Sequence, residues 1–203
     1  MAQYALQYNI MFIFPDGENS FYLDQAGAGK KYCQYVGEEL PAYVRKLFGL
    51  SDRREDTWIG GYSMGGYGAL HTALAYPETF SKALALSSAL IQHSVEKMTP
   101  GFVDVVADYD YYAATFGDPQ KLADSPNNPE YLIKQLQAAG KALPDIYLAI
   151  GTEDFLYEEN QLFRRFLTER KVPFTYEEGP GAHDFVFWDA YCRRALEWAL
   201  KEE

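Results

Sequence analysis

The 203-residue chain has the length and composition of one folded domain, and its charge argues against several classes of partner. Hydrophobic residues make up 48% and charged residues 23%, which is typical of a globular protein and excludes a disordered, collagen-like or coiled-coil chain. The 18 Lys and Arg against 29 Asp and Glu give a formal charge of −11, so we expect no binding to nucleic acid or to anionic membranes.

The cysteines and the apolar runs indicate a cytoplasmic protein. Cys33 and Cys192 are too few and too far apart for a disulfide framework or a metal site, so we expect reduced thiols and no metal. Residues 1–9 lack the pattern of a signal peptide. The longest apolar run, residues 10–14, is far shorter than the ~20 residues that span a bilayer.

Short apolar runs alternate with amphipathic stretches along most of the chain. In chain order, strands are predicted at residues 8–14, 57–61, 82–87, 145–151 and 172–176. Helices are predicted at residues 30–48, with a kink at Pro41, and at 65–76, 130–139, 157–170 and 185–201. Strands separated by helices indicate a mainly parallel sheet covered on both faces, which is a three-layer α/β fold.

One segment departs from this alternation. Between residues 91 and 144 the prolines break the pattern into short pieces: Pro100, Pro119, Pro126 and Pro129. We interpret residues 91–144 as a small cap-like insertion over the carboxyl ends of the strands, where α/β sheets bind ligands. No linker is visible, so residues 1–203 are predicted to form a single domain.

The motif Gly61-Tyr62-Ser63-Met64-Gly65 lies between a predicted strand and a predicted helix. This G-x-S-x-G pattern in that context is typical of a nucleophile elbow, in which a tight turn presents the serine. We therefore predict Ser63 as the nucleophile. The N–H of Met64 begins the following helix and is the predicted oxyanion donor, aided by the helix dipole.

A serine needs a base, and the chain has three histidines. His183 follows the last predicted strand and precedes the last helix, which is where an α/β-hydrolase keeps its base. His71 lies inside the helix after Ser63 and is expected to be a packed or surface side chain. His93 lies in the insertion, where a surface position is expected although the pocket is an alternative.

The acid that orients the base should follow a strand between Ser63 and His183. Glu153 and Asp154 compete for this role, and we prefer Asp154. Asp184 adjoins the histidine too closely to reach its ring and is expected to cap a helix. The order Ser63, Asp154, His183 is that of α/β-hydrolases.

Several blocks of the sequence resemble the esterase D branch of the α/β-hydrolases, with its tributyrin, acetyl and feruloyl esterases. The similar segments are Phe14-Pro15-Asp16-Gly17, the run from Gly61 to Leu70, Gly151-Thr152-Glu153-Asp154-Phe155-Leu156, and His183-Asp184-Phe185 with Trp188. The resemblance implies the same nucleophile, acid and base. It also implies an acyl pocket near Ser20, Tyr22 and Trp188, no metal or cofactor, and a homo-oligomer.

The chain departs from that family in one respect. Family members carry a strand that ends in His-Gly, whose following loop supplies a second oxyanion N–H, and this sequence contains no His-Gly. We interpret the chain as N-terminally truncated. Three explanations are considered: a lost N-terminus, a slide of the strand at residues 8–14 to the vacant place beside residues 57–61, or a second copy of the chain covering the gap.

The predicted function is a serine carboxylesterase that hydrolyses short-chain acyl or aryl-acyl esters, of acetyl or feruloyl type, through an acyl-enzyme. The ester is a small molecule and could be carbohydrate-linked. Two alternatives stay open. One is a thioesterase similar to S-formylglutathione hydrolase. The other is an inactive truncated hydrolase that only binds ligand, since loss of one oxyanion donor lowers the rate by ~10²–10³.

Overall fold

The computed structural model describes residues 2–201. Its helices are α1 (Ala2–Tyr8), α2 (Tyr32–Gln34), α3 (Leu40–Phe48), α4 (Met64–Ala75), α5 (Gln92–Val95), α6 (Tyr109–Phe116), α7 (Pro129–Ala138), α8 (Tyr157–Glu169) and α9 (Phe185–Ala199). Its strands are β1 (Asp24–Gln25), β2 (Lys30–Lys31), β3 (Trp58–Tyr62), β4 (Lys82–Leu86), β5 (Asp145–Gly151) and β6 (Phe174–Gly179). This is an α/β fold, as predicted.

The main sheet of the described chain has four parallel strands in the order β3-β4-β5-β6. Each pair is joined through at least one helix, because parallel neighbours need a crossover connection. Trp58 pairs with Lys82, which in turn pairs with Asp145, so the strands start level with one another. Their carboxyl ends therefore meet along one edge of the sheet.

Helices cover both faces of this sheet. In β5, Ile146, Leu148 and Ile150 belong to a core shared with α4, α7 and α8. The alternate residues Tyr147 and Ala149 pack against α9 on the opposite face. Successive side chains of a strand point to opposite faces, so a strand buried on both sides has the continuous apolar run seen in the sequence.

The predicted helix at residues 30–48 begins two residues later and carries a π-helical segment, Tyr35–Glu39, between α2 and α3. The N–H of Leu40 donates to the carbonyl of Tyr35, which is a five-residue step. Pro41 lies in the first turn of α3, where a missing N–H costs little. The irregularity next to proline is thus a π-bulge.

The predicted strand at residues 8–14 is wrong. α1 ends at Tyr8, and residues 10–14 have no regular secondary structure. The side chains of Ile10 and Phe12 pack against the α9 side of the core, whereas Met11 and Ile13 are exposed. The segment therefore has the alternating burial of a strand, but it is not part of the ladder formed by β3 to β6.

A slide of this segment to the place beside residues 57–61, one of the three explanations for the missing strand, is not observed. Within residues 2–201, β3 pairs with β4 alone and is an edge strand of the main sheet. An extended segment becomes a strand only when a neighbouring strand bonds its N–H and C=O groups. Residues 10–14 do not pair with the open side of β3, so they form no strand.

Residues 91–144 contain α5, α6, α7 and a short 3₁₀ helix, Pro119–Asp124. Asp108, Asp118 and Asn128 cap three of these helices by accepting hydrogen bonds from backbone N–H groups. Proline lies in the first turn of two of them, which explains why prolines interrupt the pattern here without preventing helices.

A cluster of ionisable groups ties this segment to α8. Nε2 of His93 lies 2.8 Å from Oε1 of Glu130 in α7, and Nδ1 lies 4.0 Å from Oε2 of Glu96. Glu159 of α8 adds a third carboxylate and accepts a hydrogen bond from Ser94. The hydrogen bond to Glu130 raises the pKa of His93 above its ordinary value, against the opposing effect of burial.

We predict that this cluster contributes stability that disappears as pH rises. A histidine whose pKa is raised by folding stabilises the protein fully below the unfolded pKa of ~6.5, and the contribution is lost as pH rises through the folded pKa. Burial also raises the pKa of Glu96, which acts in the same direction at lower pH. Lys97 and Lys134 are the cations that face Glu96, and they oppose this effect of burial.

The measurement is the free energy of unfolding of the wild type and of His93→Gln by urea from about pH 6 to about pH 9. The variant should be less stable by about 1 kcal/mol at the acid end, and the gap should close at the alkaline end. The buried His71 is present in both proteins, so its effect cancels. A gap that stays constant with pH would contradict the prediction.

Candidate active site

Three polar side chains meet at the carboxyl edge of the sheet, each on a loop that follows a different strand. Ser63 comes directly after β3, Asp154 three residues after β5, and His183 four residues after β6. Loops at the carboxyl ends of parallel strands converge, so residues separated by up to 120 positions come together. All three predicted catalytic side chains are therefore neighbours.

These side chains form a continuous hydrogen-bonded chain. Nε2 of His183 lies 2.9 Å from Oγ of Ser63, and Nδ1 lies 2.9 and 3.0 Å from the two carboxylate oxygens of Asp154. A carboxylate only accepts hydrogen bonds, so it favours the tautomer with the proton on Nδ1. Nε2 then has a free lone pair directed at the serine hydroxyl. This arrangement can remove a proton from Ser63.

Burial differs along the chain of hydrogen bonds. The side chain of Asp154 is fully buried, whereas that of His183 is 15% exposed. Asp154 also accepts a hydrogen bond from the backbone N–H of Leu156 at 2.9 Å, which fixes the carboxylate within its own loop. Asp154 is thus held within its loop, and His183 is reachable from solvent.

Ser63 occupies a strained turn between β3 and α4. Its φ is 55° and its ψ −124°, a region that residues with a side chain rarely adopt. Its N–H donates to the carbonyl of Leu86 in β4, and its own carbonyl accepts from the N–H of Ala89, each at 3.0 Å. These bonds to the neighbouring strand and loop hold the turn in place.

The glycines of the motif have different roles. A Cβ on Gly61 would lie closer than 3 Å to the backbone of Gly65, so the turn closes only with glycine at position 61. A Cβ on Gly65 would meet nothing within 4 Å. Glycine at 66 leaves room for Ser88, and glycine at 68 leaves room for the ring of Tyr22. A close backbone contact thus requires glycine at position 61, whereas position 65 has room for a side chain.

The N–H of Met64 is the first of α4, where backbone donors have no partner within the helix. No acceptor for it occurs among the hydrogen bonds of residues 2–201. It lies next to Ser63, at the positive end of the helix dipole. An unpaired N–H at a helix N-terminus is the kind of group that binds an oxyanion, which is the role predicted for Met64.

The structure separates the three acidic residues that the sequence offered near the base. Asp154 faces His183, whereas Glu153 is exposed. Asp184 accepts hydrogen bonds from the N–H groups of Val186 and Phe187 and caps α9.

Four aromatic side chains form a cluster beside His183, and two of them contact its ring. The ring of Phe155 lies 4.5 Å from that of His183, and Trp188 meets the imidazole edge-on at 4.9 Å. Tyr62 stacks on Trp188 at 4.2 Å, and Phe185 approaches both rings. Sequence reasoning missed Tyr62, Phe155 and Phe185, although each is adjacent in sequence or nearly so to a catalytic candidate.

The other pocket candidates lie in a loop before β1. Ser20 is buried, and its hydroxyl donates to the carbonyl of Gly17 and accepts from the N–H of Tyr22, so the hydroxyl holds the loop. Tyr22 is half-buried between Gly17 and Gly68. Of the three predicted pocket residues, only Trp188 is in ring contact with His183.

His71 is buried beside Cys33, with Nδ1 3.5 Å from the thiol sulfur. Its Nε2 lies 2.8 Å from the carbonyl of Pro126, so Nε2 carries the proton and Nδ1 accepts from the thiol. Burial lowers the pKa of His71 to about 4 and raises that of Cys33 to about 12. Both groups are neutral, and the pair is a packed part of the core.

Comparison with known proteins identifies the family. The family model described as Esterase matches residues 2–197. An acetyl esterase of Caldicellulosiruptor saccharolyticus is 38% identical, over 99% of this chain and 76% of the relative. The structure of a substrate-bound, fluorophosphonate-binding serine hydrolase of Staphylococcus aureus is 32% identical, over 98% of this chain and 75% of that chain, with a TM-score of 0.86. An S-formylglutathione hydrolase of Paracoccus denitrificans is 28% identical, over 97% of this chain and 73% of the relative.

The chain belongs to this esterase family and is a carboxylic ester hydrolase with an α/β-hydrolase fold. The resemblance to esterases inferred from the motifs is confirmed. None of the helices in residues 2–201 combines the length and apolar character needed to cross a membrane.

The unequal space around the two motif glycines generates a prediction. Gly61→Ala should lower the melting temperature by several degrees, because its methyl group would collide with backbone that cannot yield. Gly65→Ala should keep or raise the melting temperature, since the methyl group meets open space and alanine favours the first turn of α4.

Thermal unfolding of the two variants followed by circular dichroism is the measurement. The paired substitutions are chemically identical and four residues apart, so each serves as the control of the other. Equal losses of melting temperature would show that the steric constraint is not specific to Gly61.

Proposed function

We propose that the protein is a serine esterase that hydrolyses short-chain acyl esters, acetyl esters foremost, through a covalent acyl-enzyme. The observation that carries this proposal is the hydrogen-bonded chain from Ser63 through His183 to Asp154. An activated serine with a base and a buried orienting acid is the arrangement of nucleophilic acyl transfer.

Each residue has a distinct role in the proposed mechanism. His183 takes the proton of Ser63 as the hydroxyl oxygen attacks the ester carbonyl, and the resulting oxyanion accepts a hydrogen bond from the N–H of Met64. Asp154 holds the imidazole tautomer and stabilises its protonated form. His183 then protonates the departing alcohol. Water, deprotonated by His183, releases the acid from Ser63.

The surroundings of the site support an uncharged substrate. Phe155 and Trp188 pack against the imidazole of His183, and Phe185 packs against Tyr62. Phe155 and Phe185 are exposed. Aromatic faces pack against apolar acyl groups, aryl groups and the apolar faces of sugar rings. We therefore include aryl-acyl esters, such as feruloyl esters, and acetylated sugars in the proposed range.

A thioesterase acting on S-formylglutathione is the second candidate. It is favoured by the relative of that name in Paracoccus denitrificans. Glutathione carries two carboxylates, and binding it calls for basic side chains at the site mouth. The residues that pack on His183 are aromatic rather than basic, so we propose acetyl esters, and not S-formylglutathione, as the preferred substrates.

The organisation of the molecule is also proposed. Ala89, in the loop after β4, donates its N–H to the carbonyl of Ser63, so the segment of residues 91–144 begins close to Ser63. We propose that this segment forms a cap within a single domain. A homo-oligomer and a cytoplasmic location stay predictions of the sequence.

The roles of the three residues are tested by substitution. Ser63→Ala should lower kcat for p-nitrophenyl acetate by about 10⁴–10⁶-fold and abolish labelling by a fluorophosphonate probe. Asp154→Asn should lower kcat by about 10⁴-fold, because an amide no longer fixes the Nδ1–H tautomer.

Glu153→Gln is the matched control for the acid. It makes the same chemical change at the adjacent exposed residue, and it should leave kcat within about twofold. Turnover that survives Ser63→Ala would overturn the assignment. A folded wild type that neither labels nor turns over would favour a ligand-binding hydrolase without activity.

Substrate preference is tested by comparing kcat/KM for p-nitrophenyl acetate, an acetylated glucose, methyl ferulate and S-formylglutathione. We expect the acetyl esters to exceed S-formylglutathione by at least about tenfold, since one unpaired charge at an aromatic wall costs more than 1.4 kcal/mol. The reverse order would establish the thioesterase.

A further inference from the structure

We infer that Asn160 is a positioning residue, which sets the distance between the acid–base pair and the nucleophile. The inference rests on the proposed function, because it concerns the same site. Asn160 lies in the first turn of α8 and is only 2% exposed, and the hydrogen bonds of its side chain go to backbone carbonyls rather than to the three reacting side chains.

The side chain of Asn160 joins two loops. Its Nδ2 donates to the carbonyl of Ser88 and to that of Leu156, each at 2.9 Å. An amide nitrogen has two hydrogens, so both donors are used. Ser88 belongs to the loop after β4, and Leu156 ends the loop after β5.

One end of this link reaches the acid. The N–H of Leu156 donates to Oδ1 of Asp154 at 2.9 Å, and Asp154 in turn holds Nδ1 of His183. Moving Leu156 therefore moves the carboxylate that orients the imidazole.

The other end reaches the nucleophile. Ala89, next to Ser88, donates its N–H to the carbonyl of Ser63 at 3.0 Å. Gly66 of α4 packs so tightly on Ser88 that a Cβ there would collide with it. The position of Ser88 thus determines where the strained turn at Ser63 lies.

Removing the link does not strand a buried carbonyl. The Ser88 carbonyl also accepts from the N–H of Leu90 at 2.8 Å, and the Leu156 carbonyl from the N–H of Asn160 at 3.1 Å. Each carbonyl keeps a backbone donor when the side chain is cut. The substitution removes only the connection between the two loops. Because a misplacement of reacting groups by about 1 Å lowers the rate by up to ~10²-fold, we expect a loss of rate.

Asn160→Ser separates the two bonds. A serine hydroxyl in a helix can donate to the carbonyl four residues back, here that of Leu156, but it is too short to reach Ser88. Asn160→Ala removes both bonds. Both variants should lower kcat for p-nitrophenyl acetate, and the second-order rate of fluorophosphonate labelling, by about 10- to 100-fold, with KM within about twofold.

Asn128→Ala is the matched control. Asn128 is also 2% exposed, and its side chain accepts from the N–H of Glu130 at the start of α7. Its loss should lower the melting temperature at least as much as either Asn160 variant while leaving kcat and labelling unchanged.

The outcomes distinguish failure of the positioning role of Asn160 from failure of the proposed function. A normal labelling rate in whichever Asn160 variant folds, or an equal loss of rate in Asn128→Ala, would overturn the positioning role. A loss confined to Asn160→Ala, with Asn160→Ser normal, would also overturn it, because the Ser88 bond would then be unnecessary. If Ser63→Ala itself keeps its activity, the proposed function has failed rather than the role of Asn160.

Discussion

The backbone ladder of the parallel sheet continues past the strand ends into the loops that carry the site. The N–H of Ser63 donates to Leu86, that of Ser87 to Ala149, and that of Thr152 to Gly179. Each bond joins the first residue of a loop to the neighbouring strand, at 2.7 to 3.0 Å. The loops therefore inherit the register of the sheet. Two of these loops carry Ser63 and Asp154, so the sheet sets where both side chains lie, and His183 on the loop after β6 meets both within hydrogen-bond distance.

Glycine makes this continuation possible where the loops cross. A Cβ on Gly151 would collide with the backbone of Gly181, which lies two residues before His183. The N–H of Glu153 also bonds to the Gly181 carbonyl. The loop of the acid and the loop of the base are thus in direct backbone contact. The strain at Ser63 is tolerated for a similar reason, since bonds on both sides over-determine its conformation.

The sequence was informative where a pattern has one structural cause. The Asp145–Gly151 strand was predicted with its observed bounds, because a run of apolar residues between charged and glycine-rich ends suits a strand buried on both faces. The places of Ser63, Asp154 and His183 followed from the order of strand-end loops. The sequence favoured Asp154 over Glu153, and the physical cause is visible only in the fold, where the turn after Gly151 buries Asp154 beside His183 and leaves Glu153 exposed.

The failures also have physical causes. Residues 10–13 alternate between half-buried and exposed side chains, and this period-2 pattern reports which side chains meet the core. It does not report whether a neighbouring strand is available to bond the backbone, which depends on distant parts of the chain. The π-bulge before Pro41 and the ring contacts of Phe155 with His183 were likewise missed, because both arise from tertiary packing.

The two nucleophile–base pairs of this fold show what sequence types alone leave undecided. Cys33 with His71 and Ser63 with His183 both join a nucleophilic side chain to an imidazole at 2.9 to 3.5 Å. They differ in the group that contacts the other ring nitrogen of the imidazole. Nδ1 of His183 contacts the carboxylate of Asp154, which can stabilise a protonated ring, whereas Nε2 of His71 contacts the neutral carbonyl of Pro126. Full burial adds to the difference, because it disfavours the charged forms that proton transfer would create. These differences support the proposal that catalysis uses the pair with a charged partner and access to solvent.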